Sequence, residues 1–260
     1  MCGRYVLIDG KIIFAVSAQL QTWRNEGKEF DILPRYDARP TNLMPVVAQR
    51  DNRIQVQMMR WGLVPHWSKD GTSEFSTFNA KSETLHSSKL FAPYFKSARC
   101  LIPADGFFEW MKYSVAAEVR GTTAAVEKKQ KMFITMKDRS PFMMAGLFSV
   151  WKDRDGRELP TYTIITTSSN QLLSAIHERM PVILDKEHYE VWLDREMKDV
   201  DLLKTLLLPY DAQKMTAFPV TNKSEESPAM IERIEFEVPA AHDLMKVTKP
   251  AISKSKKRNE

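Results

Sequence analysis

IQVQMMRW, residues 54–61, alternates apolar and polar side chains as a strand does when one face is buried and the other is wet. Working outward, comparable strand patterns recur at 4–8, 99–103, 106–111, 131–137, 142–150 and 161–167, so short strands dominate the first two thirds of the chain. Between them, ILPRYDARPTNLMPV at 32–46 carries Pro34, Pro40 and Pro45, which predicts an extended loop rather than regular structure. Helical signals are sparse early, where Ser17–Asn25 fits a short amphipathic helix with Leu20 and Trp23 inward. They concentrate later. Ser168 with Gln171 predicts a capping box for a helix running to about His177 and ended by Pro181. A second helix starts near Asp185 and carries Tyr189, Val191 and Trp192, and a third covers 199–207. Helices packed on a mostly antiparallel, curled sheet make an α+β fold. No repeat or interior linker divides the chain, so one domain over 1–248 is expected. Within it the polar stretch 114–130 reads as a hairpin extension or mobile loop. The basic tail 249–260, KPAISKSKKRNE, has little to bury and reads as disordered, either solvated or touching DNA or membrane surfaces.

With 43% hydrophobic and 10% aromatic residues over 260 positions, the chain can bury a large core without disulfides or metals. Its 38 Lys and Arg against 33 Asp and Glu give a mild basic excess, compatible with a polyanionic partner but insufficient to demonstrate one. Two cysteines, Cys2 and Cys100, exclude a disulfide framework and a Cys-x-x-Cys zinc site, and a reducing, intracellular compartment is expected. The five histidines do not cluster, so no bound metal or other cofactor is expected. The opening MCGRYVLIDGKIIFAV is interrupted by Asp9 and Lys11 and has no cleavable signal pattern, and no segment reaches membrane-spanning length. A soluble protein without membrane partners is expected.

Cys2 has an unusual chemical option. Removal of Met1 would expose an α-amino group with a pKa of about 7.7–8.0 beside a thiol of about 8.5. An amine forms a Schiff base with an aldehyde, and a thiol on the adjacent carbon closes onto that imine to give a thiazolidine. The competing reading is a small residue ending a strand. Three further polar residues sit inside aromatic and apolar stretches: Asn79 in FSTFNAKSET, Glu109 in PADGFFEW and His177 in SAIHERMPVIL. Glu109, if turned inward among Phe107, Phe108 and Trp110, acquires a raised pKa suited to moving protons; turned outward it is an ordinary strand residue. His177, at a helix end whose dipole favours the protonated form, is either a proton donor or a structural residue. Asn79 either donates to a substrate hydroxyl or holds a turn.

Taken together, MCGRY at 1–5, MRWGLVPHW at 59–67, FNAKSET at 78–84, CLIPADGFFEW at 100–110, AGLFSVW at 145–151, YTIITT at 162–167 and IHERMPVIL at 176–184 resemble the SOS response-associated peptidase (SRAP) family, the abasic site processing proteins. The blocks span about residues 2–220. The resemblance implies an α+β fold whose strands curl into a pseudo-barrel. It also implies that Cys2, once Met1 is cleaved, links covalently to the ring-opened sugar of an abasic site in single-stranded DNA. Asn79 would then orient cysteine and sugar, Glu109 serve as acid and base, and His177 assist ring opening and reversal. An associated peptidase activity would release the first residue. The resemblance further implies DNA contacts by Arg4, Trp67, Lys81, Lys89, Trp110 and Arg179, with lysine at 81 and 89 where arginine is common. Trp67 and Trp110 stay open between core packing and base stacking. Asp37 and Arg39 stand where Asn and a small residue are usual. Asp37 would repel phosphate if it faced the groove, so only Arg35 of that loop takes a binding role. A monomer is expected, acting in the bacterial nucleoid or the eukaryotic nucleus, with replication-fork proteins as further partners. Two other functions compete: an N-terminal-nucleophile peptidase or amidase, and a non-covalent single-strand binding module.

Overall fold

The computed structural model describes residues 2–8, 33–50, 53–73, 75–119, 122–223 and 225–236. The helix predicted at 17–25 and the tail at 249–260 lie outside the described residues. Two sheets make up the fold. In the larger, five strands close on themselves: β3 (Leu43–Arg50), β4 (Arg53–Trp61), β6 (Arg99–Ala104), β9 (Phe142–Lys152) and β10 (Glu158–Ser168). The ring is antiparallel except where β10 meets β4 in parallel, with Thr161 opposite Arg60 and Tyr162 opposite Trp61. Closure removes the free edges that an open sheet would expose. Three short strands attach to it: β5 (Asn79–Lys81) and β11 (Arg179–Pro181) on β10, and β12 (Ile183–Leu184) on β9. The second sheet runs in the order β13 (Met215–Pro219), β8 (Thr122–Met136), β7 (Gly106–Val119), β1 (Tyr5–Leu7) and β2 (Arg35–Ala38). β7 and β8 form a long hairpin, paired from Phe107–Ile134 out to Val119–Thr122. The α+β pseudo-barrel that the sequence resemblance implied is the fold observed.

The core between the sheets is aromatic. Trp61 stacks on Tyr162 at 6.2 Å, meets Tyr5 edge-on at 5.3 Å and donates to the Phe78 carbonyl at 2.7 Å. The Tyr5 and Tyr162 hydroxyls share a 2.8 Å hydrogen bond, satisfying two buried polar groups at once. Two glycines permit close approach: a Cβ on Gly106 would sit 2.3 Å from the Phe133 ring, and one on Gly146 would sit 2.6 Å from the Thr163 carbonyl. Short helices α1 (Ala92–Ser97), α2 (Tyr189–Leu193) and α3 (Val200–Thr205) cover the outside of the barrel, where Phe95, Trp192 and Leu203 join one apolar cluster. Buried Arg99 ties them down by donating to the carbonyls of Phe95, Trp192, Asp194 and Met197. Among the described residues no helix is long and apolar enough to cross a membrane.

Two expectations fail. Residues 33–46 are not one extended loop, because Arg35–Ala38 and Leu43–Arg50 are strands and Pro45 lies inside the second. β6 pairs with β3 only at Val47 and Ala48, so Pro45 sits where one edge of β3 needs no donor. The helix predicted from Ser168 is also absent. Ser168 ends β10, paired with Arg179, and residues 171–176 form turns instead. Asn170 caps them, its Oδ1 accepting from the Leu173 amide at 3.0 Å.

Candidate active site

The ladder that joins β1 to β7 pairs Tyr5 with Phe107, and the Phe108 amide donates to the Arg4 carbonyl at 2.9 Å. That register carries residues 2–4 alongside Phe108–Trp110, which brings Glu109 close enough to Cys2 for its charge to act on the thiol. β5 lies parallel to β10 with Asn79 opposite Ile164, and from there the Asn79 Nδ2 donates to the Cys2 carbonyl at 2.8 Å. The Asn79 Oδ1 is buried and, among the described residues, accepts no hydrogen bond, a cost a folded protein seldom carries without a use. Three strands from distant parts of the chain thus meet at residue 2.

Burial sets the electrostatics. Cys2 is 0% exposed and Glu109 3%. Loss of hydration pushes the Cys2 thiol far above the ordinary thiol range, and the negative charge of Glu109 pushes it the same way. The Glu109 carboxyl is raised above the usual carboxylate range, first by burial, with His177 among the groups pulling it back. The inward reading of Glu109 is therefore the one realised. His177 follows the turns at 171–176, and its Nδ1 accepts from the Arg179 amide at 3.0 Å, which leaves the proton on Nε2. The helix whose dipole was expected to act on the ring is absent.

A basic and aromatic rim surrounds these residues. Arg4 lies 5.6 Å over the half-buried Trp110 ring and is paired with Asp37 at 2.5 Å. Asp37 is 3% exposed beneath both Arg4 and Arg39, so it supports those arginines and does not face a groove as a bare charge. Arg35 is held by Glu226 at 3.7 Å. Arg179 grips Glu83 through two bonds of 2.6 and 2.9 Å and donates to the Thr166 carbonyl. Lys81 is exposed two residues after Asn79 on β5, hence on the same face.

Trp67 and Lys89 lie elsewhere, in a cleft of about 510 Å³ whose lining includes neither Cys2 nor Asn79. Trp67 is 51% exposed and stacks on Tyr94 at 6.1 Å, which removes the core-packing reading for it. Sequence reasoning missed Phe75 and Lys69 in the same cleft. Phe75 is 70% exposed. The available signal was a lone aromatic in the polar loop KDGTSEFST at 69–77, where no alternation offers a buried face.

The chain matches the sequence model described as SOS response associated peptidase (SRAP) over residues 1–226. It is 34% identical over 237 residues to the abasic site processing protein YoqW of Bacillus subtilis, an alignment covering 89% of this chain and 99% of that protein. To the abasic site processing protein HMCES of Rattus norvegicus it is 32% identical over 231 residues, covering 78% of this chain and 64% of that one. A crystal structure of a protein from Bacteroides thetaiotaomicron, 27% identical, superposes with a TM-score of 0.71 over 90% of this chain and all of the other. On the strength of that match and of these relatives, the chain belongs to the SRAP family.

Proposed function

We propose that the protein processes abasic sites in single-stranded DNA by capturing the ring-opened deoxyribose on Cys2. The observation that carries this reading is the hydrogen bond from Asn79 to the Cys2 carbonyl beside the buried carboxyl of Glu109, an arrangement that holds the residue after Met1 rigidly against an acid. The names of the relatives, abasic site processing proteins, support the substrate class.

Hydrolysis of the Met1–Cys2 bond, a peptidase reaction in keeping with the family's description, frees the α-amine. The Glu109 carboxylate takes the proton of the C1′ hydroxyl, Nε2–H of His177 hydrogen-bonds to the departing ring oxygen, which takes a proton from solvent, and the furanose opens to an aldehyde. The Cys2 amine attacks C1′, and Glu109 in its acid form protonates the departing oxygen, which leaves as water. Sγ then adds to C1′ of the imine. The thiol proton, which burial holds on sulfur, passes through the Glu109 carboxylate to the ring nitrogen. One water is released and one thiazolidine formed. Arg4, Lys81, Arg179 and the Trp110 face hold backbone and bases around the lesion, and Trp67 and Lys89 extend the track. For Arg179, phosphate must displace Glu83.

Protein shown by mass to lack Met1, mixed with an abasic single-stranded oligonucleotide, is expected to give an adduct that survives denaturation, with the summed mass less one water. No such adduct would overturn the reading.

A further inference from the structure

A pocket of about 270 Å³ opens between the end of β3, α1, β9 and Arg195, two residues beyond α2. Its polar lining is Arg50, His66, Tyr94, Ser97, Ser149 and Arg195, and among the described residues no carboxylate lines it. The donors are organised. The Tyr94 hydroxyl accepts from the His66 amide at 2.9 Å, lies 3.0 Å from the His66 Nδ1 and 3.4 Å from the Ser149 Oγ. Arg195 is anchored by its Nε on the Ser97 carbonyl at 3.0 Å and, among the described residues, pairs with no acid. Arg50 meets Glu158 at 3.2 Å, but Lys152 meets the same carboxylate at 3.2 Å, so the surroundings keep a positive balance.

Two guanidinium groups, an imidazole and hydroxyls around a volume of this size match a tetrahedral oxyanion rather than an apolar ligand. We propose that this pocket is a second anion site that binds a phosphoryl group, supplied either by the backbone of a DNA strand leaving the Trp67 cleft or by a free phosphorylated small molecule. Trp67 stacks on Tyr94 and meets His66 edge-on at 4.7 Å, so the pocket and the cleft share a wall. A strand crossing that wall would exchange base stacking on one side for phosphate contact on the other. The site does not depend on the covalent chemistry at Cys2.

The test therefore uses the whole chain and no abasic DNA. Inorganic phosphate is titrated into the protein while the His66 imidazole resonances are followed by NMR. A saturable shift is expected, and Arg195→Gln should weaken it by about tenfold to a hundredfold, the scale of losing a charge-assisted hydrogen-bonding partner. Arg50→Gln gives a second, independent weakening should the Arg195 variant unfold, and an unchanged melting profile marks a variant as folded. An intact oligonucleotide competing phosphate out assigns the site to the DNA backbone, and phosphate retained at saturating oligonucleotide assigns it to a free ligand. No saturable shift in the unsubstituted protein, or one that both variants leave intact, would overturn the proposal.

Discussion

Cys2 and Glu109 are closed off from solvent and Asn79 is half-buried against them, whereas Trp67, Phe75, Lys81 and Lys89 stand in it. Both regions come from polar or aromatic residues embedded in similar sequence, yet they work under different electrostatics. In the closed region a single neighbouring charge moves a pKa, as Glu109 does to Cys2, and a lost partner leaves a buried group stranded. In the open region each contact is screened by salt and acts nearly alone. Substitutions should therefore change the rate and occurrence of reaction in the first region and the strength of DNA binding in the second.

The sharpest break is Cys2→Ala, which should remove the covalent adduct entirely on denaturing gels while leaving salt-sensitive binding, read by fluorescence anisotropy, as it was. Residual adduct would show that another nucleophile reacts. Next is Glu109→Gln, expected to slow adduct formation by about one to four decades at saturating DNA. In the unsubstituted protein the base form of Glu109 disappears as pH falls through its raised pKa, so activity should begin to drop at a higher pH than an ordinary carboxylate would produce. The variant should lose that limb of the pH profile and keep only the one set by the amine. An identical profile in both would remove Glu109 from proton transfer.

The open region should respond more mildly. Trp67→Ala is expected to weaken binding of intact single-stranded DNA by about 1–3 kcal/mol, the scale of one lost base stack, with the adduct rate at saturating DNA unchanged. A fall in that saturated rate would mean that the two regions are coupled. The smallest effect should come from Lys81→Gln, which should lower the slope of log affinity against log salt by about 0.7 and scarcely alter affinity at high salt. Equal losses at all salt concentrations would mean that Lys81 does more than neutralise a phosphate.

Much of the fold was legible because strands advertise themselves. Period-two patterns located β4, β6, β9 and β10, and turn residues bounded them. Pro45 and Ser168 misled for one reason: each carries a strong local preference that pairing partners override, with one unpaired edge sparing the proline and Arg179 claiming Ser168 for β10. In the site, residue types were legible and surroundings were not. Phe107, Phe108 and Trp110 flank Glu109 with apolar side chains on both faces, so alternation could not say which way the carboxyl points. Asp37 looked like a charge that could repel DNA, until Arg4 and Arg39 were found closing over it.

From its order of residues alone, this protein's strands, its family resemblance and its reactive candidates Cys2, Asn79, Glu109 and His177 could be named, since periodicity, motif spacing and functional-group chemistry are local properties. Tertiary structure alone decided that Glu109 is buried beside Cys2, that Asn79 reaches the Cys2 carbonyl, that His177 accepts from the Arg179 amide and that Trp67 is exposed. Those outcomes depend on which strands pair and what they exclude from water. Desolvation and non-local hydrogen bonds exist only once β1, β5, β7, β10 and β11 have been brought together.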